Sequence, residues 1–93
     1  ELLFIASLQG DVDTAKTIFA AHKKEFKAIR TFISMQRIYC AYYTLVEPDA
    51  KQAEKYQKQF AKSVKNYPNK LDAQNEQSHY ALISKQTPGS SGR

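Results

Sequence analysis

The stretch DAKQAEKYQKQFAKSVKNY, residues 49–67, decides the fold class. Its apolar residues recur every three or four positions, which places them along one line of an α-helix. They are Ala50, Ala53, Tyr56, Phe60, Val64 and Tyr67. Lysines keep the same spacing on the opposite side, because each residue advances the helix by about 100°, so the stretch predicts an amphipathic helix with a cationic face. The lysine row, as we name this face, consists of Lys51, Lys55, Lys58, Lys62 and Lys65.

The helical period recurs along almost the whole chain, whereas the alternation that marks a half-buried strand is absent. Only three Gly and three Pro interrupt the 93 residues, and two of the glycines fall in the last six positions. The apolar fraction of 42%, with six Tyr and five Phe, is enough for a packed core. We therefore expect an all-α domain of about five antiparallel helices, stacked as helix-turn-helix pairs.

The first two helices are predicted to meet at a tight turn. A short apolar helix over residues 1–9 ends at Gly10, a residue suited to the left-handed position after a helix. Asp11 is a candidate N-cap for the second helix, whose apolar stripe runs from Val12 to Ile29. Helices joined by so short a turn must fold back on each other.

The third and fourth helices are predicted over residues 31–46 and from Pro48 to just before Pro68. A polar patch, residues 27–31, offers a turn between the second and third helices, although no Gly or Pro separates them. We prefer this break to a single rod, because such a rod would be about three times the length of an average helix. Pro48 is placed in the first turn of the fourth helix, where its missing N–H costs nothing.

The fifth helix and the chain end follow from the last polar residues. Asn69 and Asp72 resemble a capping pair that opens a helix running to about Lys85. Residues 1–86 are thus predicted to form one helical domain. Residues 87–93 have the small-residue composition of a disordered or cloning-derived tail.

The chain matches itself when it is shifted by 38 residues. Val12 and Ala15 then fall on Ala50 and Ala53, and residues 2–8 fall on another helical segment. A repeat of this size, made of paired helices, is typical of an α-solenoid.

The segment GDVDTAKTIF, residues 10–19, resembles the turn and second helix of a tetratricopeptide repeat. Gly10 precedes the turn, Ala15 matches the small residue packed between helices, and Phe19 matches the aromatic residue that follows it. In the next unit Ala53 matches the small position. The resemblance implies a tetratricopeptide-like stack over residues 1–85.

Net charge and cysteine content bear on the class of partner and on the cellular location of the protein. Fourteen Lys plus Arg against nine Asp plus Glu give +5, spread evenly and mostly as lysine, whereas dedicated nucleic-acid binders concentrate their charge. A single cysteine, Cys40, cannot form an internal disulfide, which favours a reducing, cytoplasmic location. The longest apolar run, residues 2–8, is too short to span a bilayer. Because the chain opens without Met in an apolar segment, we interpret it as part of a longer protein, which includes the case of a soluble part of a membrane-attached protein.

No residue pattern indicates catalysis or a metal. His22 and His79 have only Cys40 as a soft partner, whereas zinc sites need three or four ligands, commonly in close pairs. No nucleophile with a base, phosphate-binding glycine loop or carboxylate pair is present. We therefore predict a non-enzymatic domain without cofactor or metal.

His22 is the most unusual residue of the second helix, because it lies in the middle of the apolar stripe. The simpler interpretation is a buried or interface imidazole with one hydrogen bond. The alternative is a packing switch that opens when the imidazole gains a proton.

The third helix carries the candidate partner-binding residues. The run YCAYY, residues 39–43, cannot turn all its side chains to one side, so we expect at least one tyrosine at the surface, although packing accounts for much of the set. Tyrosine is a favoured interface residue. We predict an interaction or scaffolding module whose concave face, formed by helices one, three and five, binds a peptide or partner helix. The predicted contact residues are Arg37, Tyr39, Tyr42, Tyr43 and Tyr80.

The fifth helix has no following partner helix in the sequence. An exposed apolar flank around Tyr80, Leu82 and Ile83 is therefore expected. Such a flank would pair with a second copy, giving a homodimer, or with sequence beyond this stretch.

The lysine row leaves two interpretations open. Five cations mixed with Gln and Glu54 fit an ordinary solvated face on the convex side, which we prefer. The alternative function is a basic module that binds nucleic acid or an anionic membrane surface through this row.

Overall fold

The computed structural model describes residues 2–85, and the predictions for the tail lie outside the described residues. The described part contains α-helices and no strand, which confirms the all-α prediction for it. The elements are α1 (Leu2–Gln9), α2 (Val12–Ala21), α3 (Lys23–Ala28), α4 (Ile33–Ala41), a π-helical turn continuing α4 (Tyr42–Val46, here the π turn), α5 (Ala50–Asn66) and α6 (Lys70–Lys85).

Capping residues set most of these boundaries as the sequence predicted. Gly10 has φ +75°, a value that L side chains rarely adopt. The side chain of Asp11 accepts a hydrogen bond from the amide of Thr14 at 3.3 Å. Asn69 accepts from the amide of Asp72 at 3.1 Å, which opens α6. These contacts satisfy amides at the helix starts that have no partner inside the helix.

The start of α5 corrects the prediction for Pro48. The N-cap is Asp49, whose side chain accepts from the amide of Gln52 at 3.1 Å, so the helix begins at Ala50. Pro48 therefore precedes the cap and lies outside the helix. The helix ends at Asn66, before Pro68, as predicted.

The segment between α2 and α4 contains one predicted break and one that was not predicted. Residues 29–32 separate α3 from α4, which confirms that the second and third helices are distinct. A further break at His22 divides the predicted second helix, and α3 beyond it has no buried residue. His22 is exposed, with Nδ1 3.1 Å from Glu25 Oε1, so its prediction as a core imidazole is wrong. Beyond the break the apolar stripe continues only in part, through the half-buried Phe26, which packs against the core.

α4 is the central element of the domain. It packs against α1, α5 and α6, and the π turn packs against α1, α2 and α5. Eight of its nine residues are buried. α1 with α2, and α4 with α5, form the predicted neighbouring pairs. These contacts do not establish a tetratricopeptide-like superhelix, which stays a prediction.

Aromatic stacking joins the first pair of helices to the π turn. The rings of Phe19 and Tyr42 are stacked with centroids 4.1 Å apart. Ala15, fully buried one helical turn earlier, lets α2 approach closely. Leu3 and Phe4 of α1 belong to the same buried cluster. Apolar burial is the main favourable term in folding, so this cluster anchors the domain.

The end helix α6 differs from the expectation of an exposed apolar flank. Ile83 is buried in the core cluster, and Tyr80 and Leu82 are half-buried. Tyr80 stacks on Phe60 of α5 at 4.6 Å. Because α6 turns its apolar side onto α4 and α5, the predicted site for pairing with a second copy is largely covered. None of the helices described here is long and apolar enough to cross a membrane.

Candidate functional site

Arg37 lies inside the protein and not on a binding face. Its side chain is 2% exposed, its Nε donates to Glu76 Oε1 at 2.8 Å, and its guanidinium carbon lies 4.3 Å from the centroid of the Phe4 ring. A buried charge needs such a partner. The expectation that Arg37 contacts a partner protein therefore does not fit its position, which links α1, α4 and α6.

Tyr42 is also buried in the protein interior. Besides stacking on Phe19, it donates its hydroxyl hydrogen to Glu47 Oε1 at 3.1 Å. Burial, and then the bond to Glu47, raises the pKa of Tyr42 to about 12. This residue is 2% exposed, so a direct contact with a partner is not available to it.

Tyr80 lies apart from the other predicted tyrosines. Its hydroxyl is 3.4 Å from Cys40 Sγ, and burial raises its pKa. It lines an apolar groove of about 350 Å³ between α5 and α6. Phe60, Ala61, Val64 and Ala81 supply the remaining apolar lining.

Tyr39 and Tyr43 are the two predicted residues that the fold brings together at a surface opening. Tyr56 of α5 joins them, and the three rings are nearly parallel: Tyr39 and Tyr56 stack at 4.5 Å with 14° between planes, and Tyr43 lies 6.3 Å from each. Tyr43 is half-buried, which confirms the expectation that at least one tyrosine of the run reaches the surface. Phe19 packs edge-on against Tyr39.

These rings form the floor of a cleft of about 270 Å³, which we name the cation–aromatic cleft. α2, α3, the turn after α3, α4, the π turn and α5 all contribute to it. Its lining residues are Phe19, Lys23, Lys27, Arg30, Tyr39, Tyr43, Gln52, Lys55 and Tyr56.

Four cations surround this floor and no carboxylate lines it. Lys23 and Lys27 lie on α3, Arg30 in the turn that follows, and Lys55 on α5. Within residues 2–85 none of them forms an ion pair. Arg30 Nη1 donates to the carbonyl of Lys27 at 2.8 Å, which holds the guanidinium beside the cleft. The cleft is therefore a concentrated positive site on a mildly basic domain.

The tyrosine hydroxyls add neutral donors to this charge. In the described part of the chain, the hydroxyls of Tyr39, Tyr43 and Tyr56 have no hydrogen-bond partner, and they are not sealed from solvent. Burial raises the pKa of Tyr39 to about 12 and raises the pKa values of Tyr43 and Tyr56 as well. The positive charge of Arg30 opposes the shift at Tyr39 and Tyr56. All three hydroxyls are consequently protonated at neutral pH and can donate.

The local chain geometry explains why these groups converge. The short α3, between the break at His22 and the turn at residues 29–32, brings Lys23 and Lys27 to the lining of the cleft. In the π turn the amide of Glu47 donates to the carbonyl of Tyr42 five residues earlier, at 3.0 Å. A π-helical turn holds an extra residue and often occurs at functional sites. It carries Tyr43 beside Tyr39 and Tyr56.

Three of the four cations of the cleft were not among the site residues predicted from the sequence. Lys23, Lys27 and Arg30 are spaced by four and three, the same interval that revealed the lysine row. That spacing was a usable signal, since it places all three on one helix line. It was passed over because the polar patch there was assigned only to a turn.

The lysine row is exposed along its whole length, as the amphipathic pattern predicted. Lys58 pairs with Glu54 at 3.1 Å, and both side chains are mostly exposed. Lys55 belongs to both surfaces, because its Nζ lies 5.3 Å above the Tyr56 ring at the cleft. The row and the cation–aromatic cleft are therefore adjacent but distinct.

Comparison of the chain with protein-family models, with curated proteins and with solved structures finds no match. The described residues contain no group of three or more His, Cys, Asp or Glu side chains that could hold a metal ion. What the cleft offers chemically is charge and hydrogen-bond donors for an anion.

Proposed function

We propose that the domain is a non-catalytic protein-interaction module that binds an acidic segment of a partner protein through the cation–aromatic cleft. The observation that carries this proposal is the ring of four cations without a lining carboxylate. Opposite charge across an interface speeds encounter and selects the partner. Tyr39 and Tyr43, proposed from sequence as contact residues, keep that role here, whereas Arg37, Tyr42 and Tyr80 do not.

The size of the cleft limits what enters it. A volume of about 270 Å³ accommodates one or two side chains and not a helix. We therefore propose that the partner offers an extended acidic segment, with one charged side chain inserted among Lys27, Arg30 and the tyrosine hydroxyls. Cation-to-carboxylate hydrogen bonds are roughly twice as strong as neutral ones.

The rigid floor favours binding as well. The rings of Tyr39 and Tyr56 are already stacked and buried, so they lose little freedom when a ligand arrives. The cytoplasmic setting remains part of the proposal, and a free, buried Cys40 fits it.

A second candidate function rests on the lysine row. Its ends are about 21 Å apart along the helix axis, at 1.5 Å per residue. Within the described chain only Lys58 of the row is ion-paired. A nucleic-acid backbone or an anionic membrane surface would suit such a row. The row is flat and lacks the aromatic groups and converging donors of the cleft, so we rank it second.

Fluorescence anisotropy with defined probes tests the proposal. The probes are labelled 12-residue peptides that are acidic, neutral or basic, a single-stranded oligonucleotide, and vesicles of phosphatidylserine and phosphatidylcholine. The protein is compared with the cleft variant Lys27→Gln/Arg30→Gln and with the matched row variant Lys58→Gln/Lys62→Gln, which loses the same charge.

The expected result is selective binding of the acidic peptides, weakened in the cleft variant and retained in the row variant. Binding of the oligonucleotide or vesicles that depends on Lys58 and Lys62 would support the second candidate instead. Equal binding of acidic and basic peptides would contradict the proposed function.

A further inference from the structure

The cation–aromatic cleft has more donors than a carboxylate can use. A carboxylate offers two oxygens, whereas Arg30 and three lysines surround the cleft and three tyrosine hydroxyls line it without partners in the described chain. We infer that the group it recognises is the phosphate dianion of a phosphorylated side chain. This inference rests on the proposed function, since it specifies the chemistry of the same peptide at the same site.

The positive charge of the cleft favours a phosphate group over a carboxylate. A phosphorylated side chain carries about −1.5 to −2 charges at neutral pH and three strongly accepting oxygens. The cleft carries four unpaired positive charges within the described chain, so a dianion neutralises more of the repulsion among them than a carboxylate does. Arg30 supplies a planar fork suited to two phosphate oxygens, and the lysines act as point charges.

The tyrosine floor selects for an anion with several acceptor oxygens. The hydroxyls of Tyr39, Tyr43 and Tyr56 remain protonated well above neutral pH, and each can donate one hydrogen bond. Their rings are held by stacking, so the donors are fixed in place before binding.

The same stacking argues against a nucleotide or single-stranded nucleic acid as ligand. Such ligands place bases on open aromatic faces. Here Tyr39 and Tyr56 stack on each other at 4.5 Å and are 5% and 7% exposed. No free face of these two rings is offered to a base. Their hydroxyl oxygens are not sealed from solvent, so these atoms remain available to a ligand in the cleft.

The charged and titratable groups nearest the cleft lie on its lining and on the elements packed against it. Lys23, Lys27, Arg30 and Lys55 are the charged lining residues. On the neighbouring elements, Glu47 accepts from Tyr42, Asp49 caps α5, and His22 pairs with Glu25 outside the cleft. Glu47 and Asp49 act on Tyr43 by raising its pKa, which keeps that hydroxyl protonated.

The test uses one peptide framework with three central residues. The probes are Gly-Ser-Ala peptides of 11 residues with phosphoserine, glutamate or serine at the centre, and inorganic phosphate serves as a fourth probe. Binding is followed by NMR titration of amide, arginine Nε and lysine side-chain signals. The dissociation constant is measured from pH 5 to 7.5.

The phosphoserine probe should bind at least about tenfold more tightly than the glutamate probe, because the second charge and third oxygen find donors. Its affinity should rise with pH through the second phosphate pKa, which lies near about 6, since the dianion forms there. The glutamate probe should change little over the upper half of that range. Signals of Arg30 and of residues around Tyr43 should shift.

Variants separate the cleft from general positive charge. Lys27→Gln/Arg30→Gln should weaken the phosphoserine probe about tenfold or more, and Tyr43→Phe roughly threefold to tenfold through loss of one donor. The matched variant Lys58→Gln/Lys62→Gln should leave its affinity within about twofold, because neither residue lines the cleft and exposed charges are screened by salt.

Three other outcomes would each contradict a specific part of the proposals. Equal affinity for the phosphoserine and glutamate probes would overturn the phosphate inference and leave the acidic-peptide function standing. Inorganic phosphate that binds as tightly as the phosphoserine probe would overturn the peptide source. Failure of both charged peptides, with intact NMR dispersion, would overturn the proposed function and the inference together.

Discussion

Arg37 of α4 and Glu76 of α6 lie 39 positions apart in the chain, and their side chains meet through a 2.8 Å hydrogen bond. Ser34 donates to the second oxygen of the same carboxylate, also at 2.8 Å. The contact closes α6 over α4 with a buried charge pair. Because desolvation makes such pairs costly to break, it fixes how the end helix sits on the domain.

We expect Glu76→Gln to lower the free energy of unfolding by about 3 kcal/mol, because it removes a negative charge that is hydrogen-bonded to a buried guanidinium. Urea denaturation followed by circular dichroism measures this. The control is Glu54→Gln, which breaks the exposed pair with Lys58 and should cost under about 1 kcal/mol. Similar losses in the two variants would show that the buried pair has no special role in stability.

Phe19→Ala should lower the free energy of unfolding by about 3 to 5 kcal/mol, the usual range for a buried aromatic residue. Phe19 is 8% exposed and contacts the rings of Tyr39, Tyr42 and Tyr43. Phe32, which is 63% exposed, provides the matched control, and its change to Ala should stay within about 0.5 kcal/mol. Thermal unfolding measures the stability of both variants. A larger loss of stability in Phe32→Ala than in Phe19→Ala would contradict the assignment of Phe19 to the core.

Alkaline pH should destabilise the domain through its tyrosines. Burial raises the pKa values of Tyr39 and Tyr42 to about 12, whereas unfolded tyrosine titrates near about 10. The unfolded chain therefore loses protons first, so this stability is fully present below pH of about 10 and is lost as pH rises toward about 12. The measurement is urea denaturation at several pH values, with tyrosinate absorbance as a second signal.

The control for that pH dependence is Tyr39→Phe, which cannot ionise and should flatten the decline between those two pH values. All other side chains are the same in both proteins, so the difference between their slopes reports on Tyr39. An identical slope for the two proteins would mean that Tyr39 ionises as readily in the folded state as in the unfolded chain.

His22→Phe should change the free energy of unfolding by less than about 0.5 kcal/mol, because the side chain lies at an exposed break between α2 and α3. A buried imidazole in the apolar stripe, the interpretation favoured from the sequence, would instead make this change stabilising. Differential scanning calorimetry at neutral pH distinguishes the two. A rise in melting temperature of several degrees would restore the view that His22 packs against apolar residues.

Helix type and most helix ends followed from local chemistry. Gly10, Asp11 and Asn69 act through contacts within a few residues, and such contacts can be inferred from the residue types alone. Pro48 shows the limit of this approach, because its place depended on whether Asp49 would act as the cap. Both residues are compatible with a helix start, and only one position can be the cap.

The central part of the fold depended on distant contacts. The π turn arises where Tyr42 stacks on Phe19 and bonds Glu47, and no short pattern in the run YCAYY announces it. The burial of Arg37 likewise required Glu76, which the sequence places in another helix. Arginine side chains are usually exposed, so the sequence favoured a surface position for Arg37.

The candidate site was half predictable for a related reason. Tyr39 and Tyr43 are one helical turn apart and could be proposed together from the sequence. Tyr56 and the cations of α3 join them only after two turns reverse the chain. No periodicity within one helix contains that information, because it concerns how separate helices cross.

The six-residue α3 affects the dynamics of the cleft. It has no fully buried residue, only the half-buried Phe26, yet it carries Lys23 and Lys27, whereas Tyr39 of the floor lies on the deeply packed α4. Backbone amides in α3 should exchange with solvent deuterium through frequent local opening, and those of α4 only through loss of the whole structure. The side of the cleft formed by α3 is therefore expected to be flexible, and the side formed by α4 rigid. An anion bound as we propose would have to order α3, and this entropic cost would lower its affinity and speed its dissociation.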